Sequence, residues 1–225
     1  STRHGGVLSM DDLSSHSADW VDTISTSLGD HELHEIPPNG QGLMALIAIG
    51  IVNQLNLSDL SPDCAESIHL QIEATRIAYN IIERELADIA SMQIELSSVL
   101  DNNFFKQQAD SINPSLATVR QTNIGAAPDT VYLTTADESG MMVSMIQSNF
   151  RGFGSGIVVP NTGISLQNRG SGFSLESGHP NQVAGNKRPY HTIIPAFVMS
   201  NNQPKMSFGV MGGHMQAQGH LQMMV

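Results

Sequence analysis

The sequence predicts an α+β protein whose two halves do different structural work. Three observations predict it. Residues 1–129 hold 18 of the 21 acidic side chains but 5 of the 10 basic ones, whereas residues 130–225 hold 3 acidic, 5 basic and 13 of the 20 glycines. Apolar residues in the first half recur at helical spacing. The second half is built of β-branched and aromatic runs between glycine-rich turns, the pattern of strands. At 225 residues the chain is long enough to bury a full core without disulfide staples.

The elements follow in chain order. Ser9-Met10-Asp11-Asp12 opens a short helix with an imperfect capping box. Trp20 to Thr26 and Glu32 to Ile36 alternate around Gly29-Asp30, which predicts a hairpin. Pro37-Pro38-Asn39-Gly40 stops that strand, and an apolar helix follows from about Gly42 to Leu55. Ser61-Pro62-Asp63 opens the longest helix, with Ile68, Ile72, Ile77, Ile81 and Leu86 on its dry side and Glu73, Arg76, Glu83 and Arg84 on its wet side. From Asp101 to Pro128 the periodicity fades, and the Asn, Gln, Ser, Pro and Gly content predicts a linker over 101–128. Thr130 to Ala136 and Met141 to Ser148 form a second hairpin across Asp137-Glu138-Ser139-Gly140. Further strands are expected at 156–159, 163–167, 191–198 and 206–210. A terminal helix runs from Gly213 to Val225, directly after Gly212-Gly213.

Composition narrows the function classes. A net charge of −11 argues against a nucleic-acid partner, which needs a basic face. The single cysteine, Cys64, excludes an internal disulfide framework and a cysteine-built zinc site. Cys64 lies near a helix start but has no evident partner histidine, so it reads as inert. No run approaches the ~18 residues of a membrane span. No secretory leader is visible; a chain starting Ser1-Thr2-Arg3-His4 reads as a fragment, so the compartment is left open. His31 and His34 are three apart in a strand, and His214 and His220 six apart on a helix, so neither pair has metal-ligand spacing. The glycine-rich run from Phe150 to Gly156 lacks either nucleotide fingerprint. No metal and no cofactor are expected.

Two features carry chemistry. Gly212-Gly213, at the start of a helix, offers consecutive unshielded N–H groups that can hold an oxyanion, although a plain tight turn is the commoner explanation of such a pair. Thr130 opens the sheet-rich half directly after the polar linker. Cutting the Asp129–Thr130 bond would give that residue a hydroxyl and a free α-amine, whose pKa near ~8 leaves part of it unprotonated at neutral pH. The amine can then take the hydroxyl proton and activate its own nucleophile.

Three blocks together resemble the gamma-glutamyltransferase (glutathione hydrolase) family of N-terminal-nucleophile enzymes. One is Gly5-Gly6-Val7-Leu8-Ser9-Met10-Asp11-Asp12-Leu13 with Trp20-Val21 and Glu35-Ile36-Pro37-Pro38-Asn39-Gly40-Gln41-Gly42. Another is Asp129-Thr130-Val131-Tyr132 with Gly152-Phe153-Gly154-Ser155-Gly156. The last is Asn186-Lys187-Arg188-Pro189 with Pro195 and Met211-Gly212-Gly213. The resemblance implies an αββα sandwich, present in part. It implies a precursor that cuts itself before Thr130, whose large and small pieces stay associated; homo-oligomer formation is left open. Thr130 would be the nucleophile, Ser148 the hydroxyl supporting its amine, and Gly212 and Gly213 the oxyanion hole.

The implied activity is hydrolysis or acyl transfer on γ-glutamyl or related acyl amides such as glutathione, with a small-molecule amide as substrate. The family's glutamyl-reading positions match Phe150, Arg169, Gly172, His191 and Thr192. Gly172 stands where members carry an Asp for the substrate ammonium, and Arg169 and His191 favour an anion instead. This is closer to the acylase-like branch. The competing hypothesis is a catalytically degenerate member serving as a binding or scaffold protein, and a purely structural fragment ranks last.

Overall fold

A computed structural model describes residues 5–118 and 129–225. The remainder of the expected linker, 119–128, and the first four residues lie outside the described residues.

The core is organised around one helix. α1 (Met10–Ser15) is a short exposed turn with a complete capping box, Asp12 N–H donating to Ser9 Oγ and Ser9 N–H to the Asp12 carboxylate. β1 (Ile24–Leu28) and β2 (His31–Glu35) form the expected hairpin, with Gly29 at φ +60° in the two-residue turn. α2 (Gly42–Val52) is buried along its whole length. A helix apolar on every side must be surrounded, and α2 packs against β1, the long helix α3 (Ala65–Glu85), α5 (Asn102–Asp110) and α6 (Gln216–Met224). α4 (Leu96–Val99) leads into α5.

α5 replaces the linker expected after Asp101. The Asp101 carboxylate caps it, accepting from Asn103 and Phe104 N–H, and Phe105 and Ala109, four apart, are its buried face. Phe104 packs partly buried against the same core, so three apolar side chains hold a helix whose other residues are polar. Gly50 of α2 makes room for it, because a Cβ there would overlap the Phe105 ring. Gly50→Ala should therefore destabilise the protein by roughly 1–3 kcal/mol through overpacking, despite alanine's better helix propensity. Thermal melts of the full-length protein check this. Phe105→Leu in the same chain should restore part of the loss.

α3 has the expected period but a rotated phase. Its dry stripe is Leu70, Ala74, Ile77, Ala78 and Ile82, whereas Ile68 and Ile72 are 44% and 43% exposed. Glu73, expected in water, is buried: it accepts from Thr118 N–H at 3.2 Å and Arg76 Nη1 at 3.1 Å, because the chain after α5 returns across it. Cys64 caps α3, its sulfur accepting from Ser67 N–H.

The sheet joins the two halves of the chain. β5 (Ala196–Ser200) pairs antiparallel with β2 and with β6 (Gln203–Phe208), giving the order β1-β2-β5-β6. The compositional boundary is thus no boundary between layers. β3 (Asp129–Ala136) and β4 (Met142–Phe150) form a separate antiparallel ribbon. It docks on β6 through Thr134 Oγ1 to Ser207 Oγ and Ser144 Oγ to the Phe208 carbonyl at 3.3 Å. The strands expected at 156–159 and 163–167 reduce to one bridge between Val158 and Ser165, around Pro160 and the positive φ of Asn161 and Gly163. The strand expected from His191 starts only at Ala196, past Pro195, which has no N–H to give. The terminal helix is present as α6, entered through a 3₁₀ turn at Gly213–Met215.

One buried polar pair crosses this core. His220 of α6 and Glu35 of β2 are fully buried, with Nδ1 to Oε1 at 2.5 Å. Burial pushes the Glu35 carboxyl upward, and the coulombic and hydrogen-bond effects of His220 oppose that. The Phe208 ring packs on His220 at 4.8 Å.

Candidate active site

Thr130 is the second residue of β3. The ladder with β4 is irregular between Asp129 and Val131, where Asp129 faces Phe150. Such irregularities re-aim side chains. Here the Thr130 hydroxyl oxygen is buried without a hydrogen-bond partner among the described residues. Ser148, near the end of β4, accepts from Phe150 N–H at 2.8 Å. Phe150 has φ 79°, a left-handed conformation that bulky residues seldom adopt.

From Phe150 a relay of side chains runs toward the paired glycines. The Arg169 guanidinium lies over the Phe150 ring at 4.7 Å and donates from Nη1 to Thr192 Oγ1 at 2.8 Å. The Thr192 carbonyl accepts from Gln41 Nε2 at 2.5 Å, and the same nitrogen donates to the Gly213 carbonyl at 2.7 Å. Gln41 Oε1 accepts from Tyr190 O–H at 2.6 Å. Gln41 precedes α2 immediately and has no exposed surface, so the fully buried helix anchors the relay.

Gly212 (φ 136°) and Gly213 (φ 65°) start the 3₁₀ turn that becomes α6. Both angles are in the region that favours glycine, and the N–H groups there lie at the positive end of the helix. His191 joins through its backbone, bridging Gly40 in parallel: Gln41 N–H donates to the His191 carbonyl at 2.9 Å and His191 N–H to the Asn39 carbonyl at 3.0 Å. Gly172 lines a neighbouring cleft of about 210 Å³ with Tyr79, Glu83, Tyr190 and His214. In its wall the Tyr190 and His214 rings stack at 5.3 Å, and Tyr79 O–H donates to the His214 carbonyl.

The structure therefore places Arg169 in contact with both Phe150 and Thr192 and ties Gly213 to Thr192 through Gln41. Sequence reading quoted Gln41 within a block but gave it no role, and missed Tyr79 and Tyr190. The position of Gln41 between Gly40 and Gly42, after two prolines, is the signal that marks it as backbone-fastening. His214 and His220 point to different tasks, one in the cleft wall and one in the core. Among the described residues no three His, Cys, Asp or Glu side chains converge as metal ligands.

Electrostatics at the site favour a cation beside neutral imidazoles. Burial lowers the Arg169 pKa to about 10, which leaves it charged at neutral pH. Burial, then the Arg169 charge, hold the His191 pKa down at about 3, and burial also lowers that of His214. His191 takes its proton in the unfolded chain near its ordinary 6.5 but in the folded one only near 3, so stability should fall as pH drops through that window. Melting temperatures from pH 7 to 4 should fall less steeply in His191→Gln than in the unmodified protein. Equal slopes would remove His191 from the account.

The family model described as Gamma-glutamyltranspeptidase matches residues 1–225. The chain belongs to that family. It is 33% identical over 96% of its length to the Glutathione hydrolase-like YwrD proenzyme of Bacillus subtilis (strain 168), covering 41% of it. It is 34% identical over 95% of its length to the Oxamate amidohydrolase proenzyme of Klebsiella pneumoniae, covering 40%. The crystal structure of a cephalosporin acylase from Bacillus halodurans superposes with a TM-score of 0.89 at 42% identity, over 99% of this chain and 40% of that one. The chain thus spans about 40% of the length of these gamma-glutamyltranspeptidase relatives. Its fold is the α+β, N-terminal-nucleophile hydrolase type, seen in part as the αββα sandwich requires. No helix among the described residues is long and apolar enough to cross a membrane.

Proposed function

We propose that the full-length protein is an autoprocessing threonine-nucleophile amidohydrolase or acyltransferase acting on γ-glutamyl or related acyl amides. The observation that carries this reading is the buried Thr130 hydroxyl, which has no hydrogen-bond partner among the described residues and sits beside an irregular ladder where Asp129 faces Phe150, from which Arg169, Thr192 and Gln41 lead on to Gly213. Relatives named as proenzymes, with hydrolase and acylase activities in their names, support it.

In this reading, cleavage of the Asp129–Thr130 bond leaves Thr130 with a free α-amine. The amine accepts the hydroxyl proton while Oγ1 adds to the substrate's amide carbonyl. The N–H groups of Gly212 and Gly213 hold the tetrahedral oxyanion, and Ser148 supports the amine. Collapse expels the substrate amine, which takes up a proton. Water, or an acceptor amine, then breaks the acyl ester and regenerates the hydroxyl. The large and small pieces of the precursor remain associated throughout, because β2 and β5 lie side by side in one sheet.

Intact-mass measurement of the full-length protein tests the proposal. A fragment beginning at Thr130, together with release of p-nitroaniline from an acyl anilide, is the expected result. A chain never cut there sinks it. A cut chain inactive on a broad amide panel would favour the degenerate binding protein.

A further inference from the structure

Gln41 has every polar group engaged. Its N–H donates to the His191 carbonyl at 2.9 Å, and its own carbonyl accepts from Met44 N–H at 2.9 Å. The side-chain amide is used up as well: Nε2 donates to the Thr192 and Gly213 carbonyls, and Oε1 accepts from Tyr190 O–H. A primary amide has two N–H donors and an acceptor oxygen, which is the set these three partners require. Burial holds the Tyr190 hydroxyl well above its ordinary pKa, so it remains a donor at neutral pH.

The far end of this network is intrinsically the loosest kind of chain. Gly212 and Gly213 are consecutive glycines, and glycine loses more conformational freedom on ordering than any other residue. Donors to an oxyanion work only when they are already set within hydrogen-bond reach of the developing charge. The pair therefore needs holding from outside. The 3₁₀ turn supplies one bond, from Gln216 N–H to the Gly213 carbonyl. Gln41 supplies a second to the same oxygen, from the start of the buried helix α2. Tyr79 of α3 fastens the next carbonyl, that of His214. The N–H and the carbonyl of Gly213 hang on one Cα, so tethering the carbonyl limits the swing of the N–H.

We infer that Gln41 is a positioning residue for the reaction: its Nε2 tethers the Gly213 carbonyl and so keeps the Gly213 N–H aimed at the tetrahedral oxyanion. The inference deepens the amidohydrolase reading and rests on it. Gln41 acts through Gly213, so its effect falls on the transition state and not on the bound substrate. A glutamine that only filled the core would change the melting temperature and leave the rate of the folded enzyme alone.

The test uses the processed full-length protein, the faster-cut of the glutaryl and γ-glutamyl p-nitroanilides, and temperatures below the onset of melting. Gln41→Met keeps the length and removes the amide. Its kcat should fall by about 10- to 100-fold, less than deleting an oxyanion donor outright, while KM stays within about threefold. Gln41→Glu keeps the shape but turns an acceptor toward two carbonyls, and should lose at least as much. Hydrogen exchange supplies a readout that needs no turnover. In Gln41→Met the segment 210–218 should exchange at least about tenfold faster, with 43–52 of α2 unchanged. A kcat within about threefold of the unmodified protein, or a loss carried wholly by KM, overturns the inference. Where Gln41→Met stays uncut and does not fold, Tyr190→Phe is read instead. It frees only Oε1, and should lower kcat about three- to tenfold at constant KM; an unchanged kcat overturns the inference. If the unmodified protein cleaves no anilide, the amidohydrolase reading fails separately and exchange decides the tether. Faster exchange confined to 210–218 upholds it, and equal exchange overturns it.

Discussion

Thr130→Ala in the full-length protein should leave the Asp129–Thr130 bond intact and lower amide hydrolysis by about 10⁴-fold or more, the scale seen when a catalytic nucleophile is deleted. Both effects have one origin. The hydroxyl is the attacking group, and the amine that activates it exists only after the cut. The fold should survive, because alanine removes only a hydroxyl that makes no hydrogen bond among the described residues and a methyl group. Thr130→Ser keeps the hydroxyl and should still process. Mass spectrometry separates cut from uncut chains, and anilide hydrolysis supplies the rate. A Thr130→Ala protein that still cuts at this bond, or that keeps a tenth of its activity, would assign the chemistry to another residue.

The largest stability effect is expected at Glu35 and His220. Both side chains are fully buried, and among the described residues each is the other's sole hydrogen-bond partner, since Glu35 Oε2 and His220 Nε2 have none there. Removing one member strands the other in an apolar core, which costs about 3–5 kcal/mol. Glu35→Ala and His220→Ala should each lower the melting temperature sharply. The double variant with leucine at both positions should recover much of the loss, because an apolar pair carries no desolvation penalty. The fit is tight here: a Cβ on Gly42 would lie 2.7 Å from the Glu35 Cβ, so bulk added at either point is felt. Single variants that melt within a degree or two of the unmodified protein would show that water reaches the pair.

Much of the fold could be read before any coordinates. Local signals carried it: the Ser9 cap, the Gly29-Asp30 turn, the uniformly apolar stretch that became α2, and the β-branched run after Thr130. These depend on neighbours within a few residues, so the chain states them directly. Reading failed where distant partners decide. α5 escaped notice because its ordering contact is Phe105 on Gly50, over fifty positions away. The burial of Glu73 is not legible locally, because the Thr118 N–H that it accepts from lies 45 residues away, past α5.

The candidate site divides the same way. Thr130, Ser148 and the Gly212-Gly213 pair stand out by residue type, position and family resemblance. The role of Gln41 does not, since its side chain reaches Thr192 and Gly213 only after β2, α2 and β5 have assembled. Nor does the lone buried charge of Arg169. A charge alternation in sequence cannot tell whether a cation will find an anion in space.

By itself the amino-acid order determined α1, α2, α3 and α6, the two hairpins, the compositional break at residue 129 and the family. Only the assembled protein decided that strands from either side of that break share a sheet. The assembly also set which face of α3 is dry and which cation, Arg169, lies buried without an ion pair among the described residues. The reason is physical. Backbone preference and hydrophobic period act over one or two turns of chain, whereas burial and pairing of charge are properties of the space that the packed elements enclose.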